Sequence, residues 1–503
     1  MKNMVRLRFA PSPTGPLHIG GLRTALYNYL FAKKHKGSFI LRIEDTDQAR
    51  FIPQSEAYIM QALTWLGITP DEGPTQGGAM GPYRQSERKA LYKQYALELV
   101  KTGKAYYAFD TPDELNTMRS DFKATGKISP QYNAITRMQM KNSFTLSQKE
   151  VSHKIATGEP YVIRMLIDPK ITLKVKDKIR GWIQIKGEIL DDKVLLKADG
   201  MATYHLANVV DDHFMQITHV IRGEEWLPSL AYHILLYQYL AWPAPEFVHL
   251  PLLLNADGKG KLSKRATIQG ETLVLPLSWQ DSATQQNLPG FREAGYLPEA
   301  LLNFIALLGW HPSSNQELFT KEELIEHFSL SRISKNGACF DMHKAQWFNQ
   351  KYLQSLSDSL LATRYLLPML EKKGIDCTLA QATELCQLLK KGIRFPKELI
   401  ENSLYFFHPP DEEVIKNKIN WNLTTKAFLT SLAHALAELK NFNIVTLQQV
   451  IQNQITLHQL KIGEAMQLVR LVITGKKVGL PLAELLVTLG KDKALQRIQK
   501  ILL

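Results

Sequence analysis

Cysteine is scarce: the 503 residues carry three. Cys339, Cys377 and Cys386 are odd in number and widely spaced, which excludes a disulfide framework or a Cys-based metal knuckle and points to a reducing compartment. Long apolar runs are missing as well, since no window offers the ~18 residues of a membrane span. The N-terminus is charged at Lys2, Arg6 and Arg8 and has no apolar stretch of signal-peptide length. A soluble, cytoplasmic protein without a membrane partner is the expectation. There is no internal repeat and no low-complexity tract. Acidic residues are the minority charge, 48 against 61 Lys and Arg, for a net +13. That balance favours a polyanionic partner such as nucleic acid, although a Lys-rich proteome gives basic proteins of every kind. A hydrophobic share of 45% with 22% charged residues is that of a globular chain, and the length implies about three domains.

One stretch near the start has unusual chemistry. Val5, Leu7 and Phe9 alternate with Arg6 and Arg8, so a strand runs up to Phe9. From Leu22 onward Leu22, Ala25, Leu26, Tyr29 and Leu30 recur at helical spacing. The Pro- and Gly-rich link over 10–21 must deliver the chain from a strand directly into a helix N-terminus. Unpaired N–H groups at such a start attract anions; Gly20 and Gly21 keep the approach open, and His18 sits at the mouth. The Gly15-to-Gly20 spacing is that of a Walker A loop, but Gly21 and Leu22 follow where Lys and Ser or Thr are required, and the three-glycine dinucleotide fingerprint fails too. Taken alone, the stretch could also be a turn that only serves packing. A second loop, Asp257-Gly-Lys-Gly-Lys-Leu-Ser-Lys-Arg265, concentrates positive charge without apolar periodicity.

Residues 38–44 read as a buried strand. The acids of the following turn, Glu44, Asp45 and Asp47, are either a metal site or caps for helix N–H groups. Helical periodicity follows in 54–66 and 86–102, where Gly103 ends the run. Thr111-Pro-Asp-Glu114 is a capping box. β character returns at 161–167 and 182–190, so 106–203 reads as an insertion. A strand over 217–221 leads to Arg222 and then to an amphipathic helix ending near Leu240. Alternating strand and helix predicts a doubly wound parallel sheet. Ligands of such sheets collect at C-terminal strand ends, which puts Arg222 in the crevice of Arg8. The almost wholly apolar segment 296–310 predicts a helix buried between neighbours, and from about 345 onward helical periods predict an all-α region.

His18-Ile19-Gly20-Gly21 and Lys261-Leu262-Ser263-Lys264-Arg265 together resemble the HIGH and KMSKS signatures of class I aminoacyl-tRNA synthetases. Arg8-Phe-Ala-Pro-Ser-Pro-Thr-Gly15, Arg42-Ile-Glu-Asp-Thr-Asp47, Gly81-Pro-Tyr-Arg-Gln-Ser-Glu-Arg88, Tyr204-His-Leu-Ala-Asn-Val-Val-Asp-Asp-His213 and Ile217-Thr-His-Val-Ile-Arg-Gly-Glu-Glu-Trp226 narrow the resemblance to the glutamyl-tRNA synthetases and extend it over nearly the whole length. It implies a Rossmann-like α/β catalytic domain in two halves, 1–105 and 204–265, around an inserted α+β acceptor-stem-binding domain over 106–203. A helical stem-contact domain over 266–344 and an all-α anticodon-binding domain over 345–503 would follow. The implied reaction is ATP-dependent activation of L-glutamate to glutamyl-adenylate, then transfer to the 3′-terminal adenosine of tRNA(Glu) with release of AMP and diphosphate.

By the same resemblance ATP belongs to Ala10, His18, Gly20, Gly21, Glu225, Trp226, Lys261, Ser263 and Lys264. His18 and Lys264 would be the catalytic pair, and Mg²⁺ would be shared by the phosphates. Glutamate belongs to Arg8, Arg222, Tyr204 and Asn208, with Ser12 and Glu44 facing its α-amino group. The chemistry agrees. A carboxylate attacking the α-phosphate needs positioned donors and no protein nucleophile, and a side-chain carboxylate is held best by guanidinium forks. His205, Asp211, Asp212, His213 and His219 have metal-ligand chemistry but irregular spacing, so structural roles are expected. Ala108 and Asp110 stand where some family members carry a Cys-x-Cys zinc pair, so zinc is not expected. Strict members read the third anticodon base with an Arg whose place here is Gly392, near Lys390, Lys391 and Arg394. Either tRNA(Gln) is charged as well, or Lys391 does the reading. A monomer is the family expectation. The helical C-terminal third argues against a glutaminyl enzyme, and so much helical appendage argues against an RNA-independent nucleotidyltransferase.

Overall fold

The computed structural model describes residues 4–124, 131–263, 272–281 and 284–503. They form two compact units, Met1–Ala294 with Pro298–Ala345, and Gly295–Leu297 with Gln346–Leu503. The first opens with β1 (Arg6–Phe9), α1 (Ile19–Lys34), β2 (Ser38–Leu41), α2 (Pro53–Trp65) and α3 (Lys89–Lys101). Next come β3 (Ala105–Ala108), α4 (Pro112–Ala124), α5 (Gln148–Ala156), β4 (Val162–Met165), β5 (Thr172–Asp177), β6 (Gly181–Lys186) and β7 (Val194–Leu196). Then follow α6 (Tyr204–Phe214), β8 (His219–Gly223), α7 (Leu230–Tyr239), β9 (Glu246–Leu250) and α8 (Pro298–Ala306).

The main sheet runs β2-β1-β8-β9-β5-β6. Its first five strands are parallel and β6 is antiparallel to β5. All four residues of β1 are buried, so the Arg and apolar alternation does not mark a wet face. Arg6 instead pairs with Glu72 at 2.7 Å, and Arg8 with Asp212 at 3.0 Å. A charge inside a parallel sheet persists only when paired. α1 packs on β1 and β8 on one side and on α8 on the other, and seven of the nine α8 residues are buried, as all-round apolarity requires. The register aligns Arg222 with His249 and Gly223 with Leu250, so β8 and β9 end level, and Leu7 with His219, so β1 ends beside Ile221.

β3, β4 and β7 form a separate antiparallel sheet, while β5 and β6, which the sequence reading put in the same insertion, join the main sheet through Asp177↔Phe247. Periodicity identifies a strand but not the sheet it joins. β5 buries Leu173, Val175 and Asp177 and exposes Thr172, Lys174 and Lys176. β6 is the sheet edge, with Trp182 72% exposed beside Lys176. At the other edge, the chain at Glu72 and Arg84 bridges Ile40 and Ile43. The capping box at Thr111 forms, with N–H donated to Glu114 Oε2 at 2.9 Å. No helix among the described residues is long and apolar enough to cross a membrane.

The second unit, by itself, is helical: Leu379–Leu389, Lys397–Phe407, Leu423–Glu438, Ile444–Leu457, Ile462–Thr474, Leu482–Leu489 and Lys491–Leu502. The helix at Leu423–Glu438 packs on its neighbours through Phe428, Leu432 and Leu436, each fully buried.

Candidate active site

The carboxyl ends of β1 and β8 open into a cleft of about 630 Å³. Arg8, Ala10, Ser12, His18, Gly20, Gly21, Glu44, Tyr204, Asn208, Arg222, Glu225, Trp226, Lys261 and Ser263 all line it. Lys264 lies outside the described residues.

At the amino end of α1, His18 is the N-cap, and its Nδ1 accepts the Gly20 N–H at 3.0 Å. A neutral imidazole accepting at Nδ1 carries its proton on Nε2. This corrects the reading of the helix start as a row of open N–H groups. Ile19 donates to Val274 O at 2.9 Å, Gly20 to His18, and Leu22 to His18 O at 3.0 Å. The glycines matter for close approach: a Cβ on Gly21 would come within 2.8 Å of Leu17 Cδ1.

A charged network forms the floor. Asp212 Oδ1 accepts from Arg8 Nε at 3.0 Å and Arg42 Nη1 at 2.7 Å. Glu44 Oε1 accepts from Arg42 Nη2 at 2.9 Å and Asn208 Nδ2 at 3.0 Å. Although burial opposes it, the guanidiniums of Arg8 and Arg42 hold the Asp212 carboxyl below the usual range; burial pushes Glu44 up against the same two cations. Glu44, Asp45 and Asp47 therefore turn to separate partners and share no metal site, and Asp45 takes the capping role at the start of the short helix Gln85–Arg88. Asp45 accepts from Ser86 N at 2.8 Å and Ser86 Oγ at 2.6 Å, and Asp47 pairs with Arg50 at the surface.

Arg222 is 5% exposed and differs from Arg8. Its partners are His249 Nε2 at 3.0 Å, Tyr204 Oη at 2.9 Å, His233 Nδ1 at 3.3 Å and Trp226 O at 3.4 Å, and among the described residues no carboxylate pairs with it. Burial and the Arg222 charge hold His233 far below the imidazole range, so it is neutral. Arg222 is thus a desolvated cation among neutral acceptors, disposed to receive an anion. Trp226 is 39% exposed with its ring 4.4 Å from that of Tyr204, so it is a cleft wall and not core. Lys261 Nζ lies 3.6 Å from Glu225 Oε1.

The five metal-type residues turn to separate partners. Asp211 accepts from Arg88, Gln85 and Tyr92, and Asp212 holds the two arginines. His213 stacks on Trp242 at 3.8 Å, His219 lies 3.0 Å from Glu246, and the His205 ring packs on Tyr232. Asp110 accepts from Tyr132 Oη at 2.9 Å and Lys141 N at 2.7 Å. Sequence reasoning missed Arg42, Asp177, His233 and His249 as supports of the cleft. Arg42, a charge within a strand pattern, carried a signal, because it had to be paired.

In the second unit, Lys390 is taken by Asp358 at 3.0 Å, whereas Lys391 and Arg394 are exposed. Gly392 lies between them with nothing within 4 Å of an added Cβ.

Residues 4–347 match the family described as tRNA synthetases class I (E and Q), catalytic domain, and residues 346–502 match an anticodon binding domain. The chain is 51% identical over 507 aligned positions to the glutamate--tRNA ligase of Amoebophilus asiaticus, spanning 100% of this chain and 98% of that one. It is 49% identical to the glutamate--tRNA ligase of Cytophaga hutchinsonii, over 98% and 96% of the two chains. Its fold superimposes with a TM-score of 0.92, at 44% identity and 99% coverage of each chain, on a crystal structure of the Elizabethkingia meningosepticum glutamate tRNA ligase in complex with its amino acid.

Proposed function

This chain belongs to the class I tRNA synthetases of the glutamate and glutamine group, and from that premise we propose that it is a glutamate--tRNA ligase. It activates L-glutamate with ATP to glutamyl-adenylate, releasing diphosphate, and transfers glutamate to the 3′-terminal adenosine of tRNA(Glu), releasing AMP. The observation that carries this reading is Arg222, a buried guanidinium whose neighbours are all neutral.

In the proposed complex Arg222 and Arg8 hold the glutamate side-chain carboxylate, and Tyr204 and Asn208 fix the surrounding donors. Glu44 and Ser12 receive the α-ammonium. The α-carboxylate then attacks the α-phosphate in line. His18 Nε2–H and Lys264 stabilise the charge growing on the phosphate oxygens, an interaction worth most in the transition state. Trp226, Ala10, Gly20 and Gly21 border the nucleotide, and Ser263, Lys261 and Glu225 lie beside it. Mg²⁺ would be shared by the triphosphate oxygens and would neutralise part of their charge. The enzyme acts in the cytoplasm as a monomer.

The deciding assay is attachment of glutamate to whole cellular tRNA, with and without ATP. ATP-dependent charging is expected; a dinucleotide or free adenylate as the sole product would sink the assignment. Glutamate-dependent pyrophosphate exchange should require tRNA, since RNA docking completes the site by induced fit. Gly392 favours a second reading alongside the first: with no side chain at the reading position, tRNA(Gln) is charged with glutamate as well.

A further inference from the structure

Arg222 is held from behind by a relay that no proposed step uses. Its Nε donates to His249 Nε2 at 3.0 Å, and His249 Nδ1 lies 2.8 Å from Asp177 Oδ2. All three side chains are almost wholly buried: Asp177 is 1% exposed, His249 0% and Arg222 5%. The geometry leaves one consistent proton arrangement. Arg222 has no acceptor and an ionised Asp177 has no donor. His249 therefore carries its proton on Nδ1, facing the carboxylate, and turns the Nε2 lone pair to Arg222. Burial, with Arg222 beside it, keeps His249 below the imidazole range, while against burial the hydrogen bonds from His249 and the Arg180 N–H keep Asp177 ionised.

Asp177 is itself tightly placed. Oδ1 accepts the Ile179 N–H at 2.9 Å and the Arg180 N–H at 2.8 Å, and Oδ2 also accepts the His249 N–H at 3.1 Å. The β5–β6 turn thus fixes the carboxylate, the carboxylate fixes the imidazole tautomer, and the tautomer fixes the guanidinium.

We propose that Asp177 and His249 are positioning residues for the amino acid substrate, selecting through the His249 tautomer the one Arg222 orientation that receives the glutamate side-chain carboxylate. The proposal rests on the reading of Arg222 as that carboxylate's partner.

Asp177→Asn tests it. The Asn carbonyl stays with the two turn N–H groups, since reversing the amide would set its NH₂ against both donors; the His249 backbone N–H then loses its Oδ2 acceptor whichever side chain stands at 249. The NH₂ then faces His249 Nδ1, which must become an acceptor, and the proton moves to Nε2, where N–H confronts Arg222 N–H. An unsatisfied buried donor of this kind corresponds to about a tenfold or larger rise in glutamate KM, with ATP KM within about twofold of the parent. His249→Gln keeps an acceptor for Arg222 and has no ring tautomer, so its glutamate KM stays near the parent value. In the His249→Leu background, where no polar group links the two, adding Asp177→Asn changes KM by less than about threefold. Equal KM increases from Asp177→Asn in both backgrounds, or none in either, overturns the relay. If Asp177→Asn does not fold, His249→Leu against His249→Gln decides: Leu must raise glutamate KM and Gln must not, and equal values overturn the proposal. Arg222→Gln is measured in parallel. If it leaves glutamate KM intact, the assignment of Arg222 fails; if it abolishes saturation while Asp177→Asn has no effect, only the relay fails.

Discussion

Arg222 donates to four neutral groups, and the proposal that its charge serves the substrate and not the fold is open to test. Arg222→Gln removes one carboxylate partner from a desolvated pocket, a loss of about 3 kcal/mol or roughly two orders of magnitude in kcat/KM for glutamate. Its melting temperature should stay close to the parent's. Glutamate kinetics within a few-fold of the parent would refute the role. The neighbouring histidines make a different contribution. Burial and nearby Lys193 pull His205 down to about 4, from 6.5, and His233 and His249 shift the same way. Between pH 6.5 and 4 the unfolded chain therefore binds protons that the folded chain refuses, so stability is complete above about 6.5 and declines as pH falls toward 4. One such group adds a slope of up to about 1.4 kcal/mol per pH unit. Unfolding midpoints across this range should show it, and His205→Gln should flatten it; an unchanged slope would assign the acid sensitivity elsewhere. Arg8 and Arg222 were legible in the sequence as cations at strand ends. Asp177 and His249 were not, because a tautomer relay is made by register between strands 72 residues apart in the chain.

Among the elements, the β1–β2 register depends on Gly37. Ser38 N–H donates to Val5 O at 2.9 Å, and a Cβ on Gly37 would sit 2.0 Å from that oxygen and 2.8 Å from its carbon. Both atoms are backbone and cannot rotate away. Gly37→Ala should therefore destabilise the first unit by about 2 to 4 kcal/mol, read as a lowered urea midpoint; a parent-like midpoint would mean that the strand edges yield. β1, β2, β8 and α3 were readable because each obeys one period: β8 begins within two residues of its expected start, and α3 ends just before Gly103, whose φ is +67°, whereas β9 was not read from the sequence. β6 was readable as a strand, whereas β5 falls between the two stretches of β character named from the sequence, and the place of the pair in the main sheet rests on one paired position, Asp177↔Phe247. At the α1 start one N–H is occupied for a local reason. His18 is close enough in the chain to take the Gly20 N–H itself.

At the scale of the whole molecule, the match of residues 346–502 to an anticodon binding domain makes the second unit the place to test the choice of tRNA. Gly392 has no positive φ and open space around an added Cβ, so a side chain fits there without strain. Gly392→Arg should raise the preference for tRNA(Glu) over tRNA(Gln) by about ten- to a hundredfold in kcat/KM, the worth of one base-edge contact. An unchanged ratio would mean that exposed Lys391 already reads the base. The helical nature of this unit was plain from composition, but which of its lysines are free was not, because Lys390 is neutralised by Asp358, 32 residues away in sequence. The edge strand β6 bears on a further property. Of the two borders of the main sheet, β2 is bridged by the chain at Glu72 and Arg84, whereas β6 is the outermost strand on the other side. An open border can recruit a second copy edge to edge, and charged side chains are the usual defence. Lys174, Lys176 and Lys186 flank it around the exposed Trp182. Self-association of the purified protein should consequently be suppressed by mutual repulsion in dilute buffer and rise as added salt screens these lysines, with light scattering as the readout and Lys186→Ala lowering the salt at which it begins.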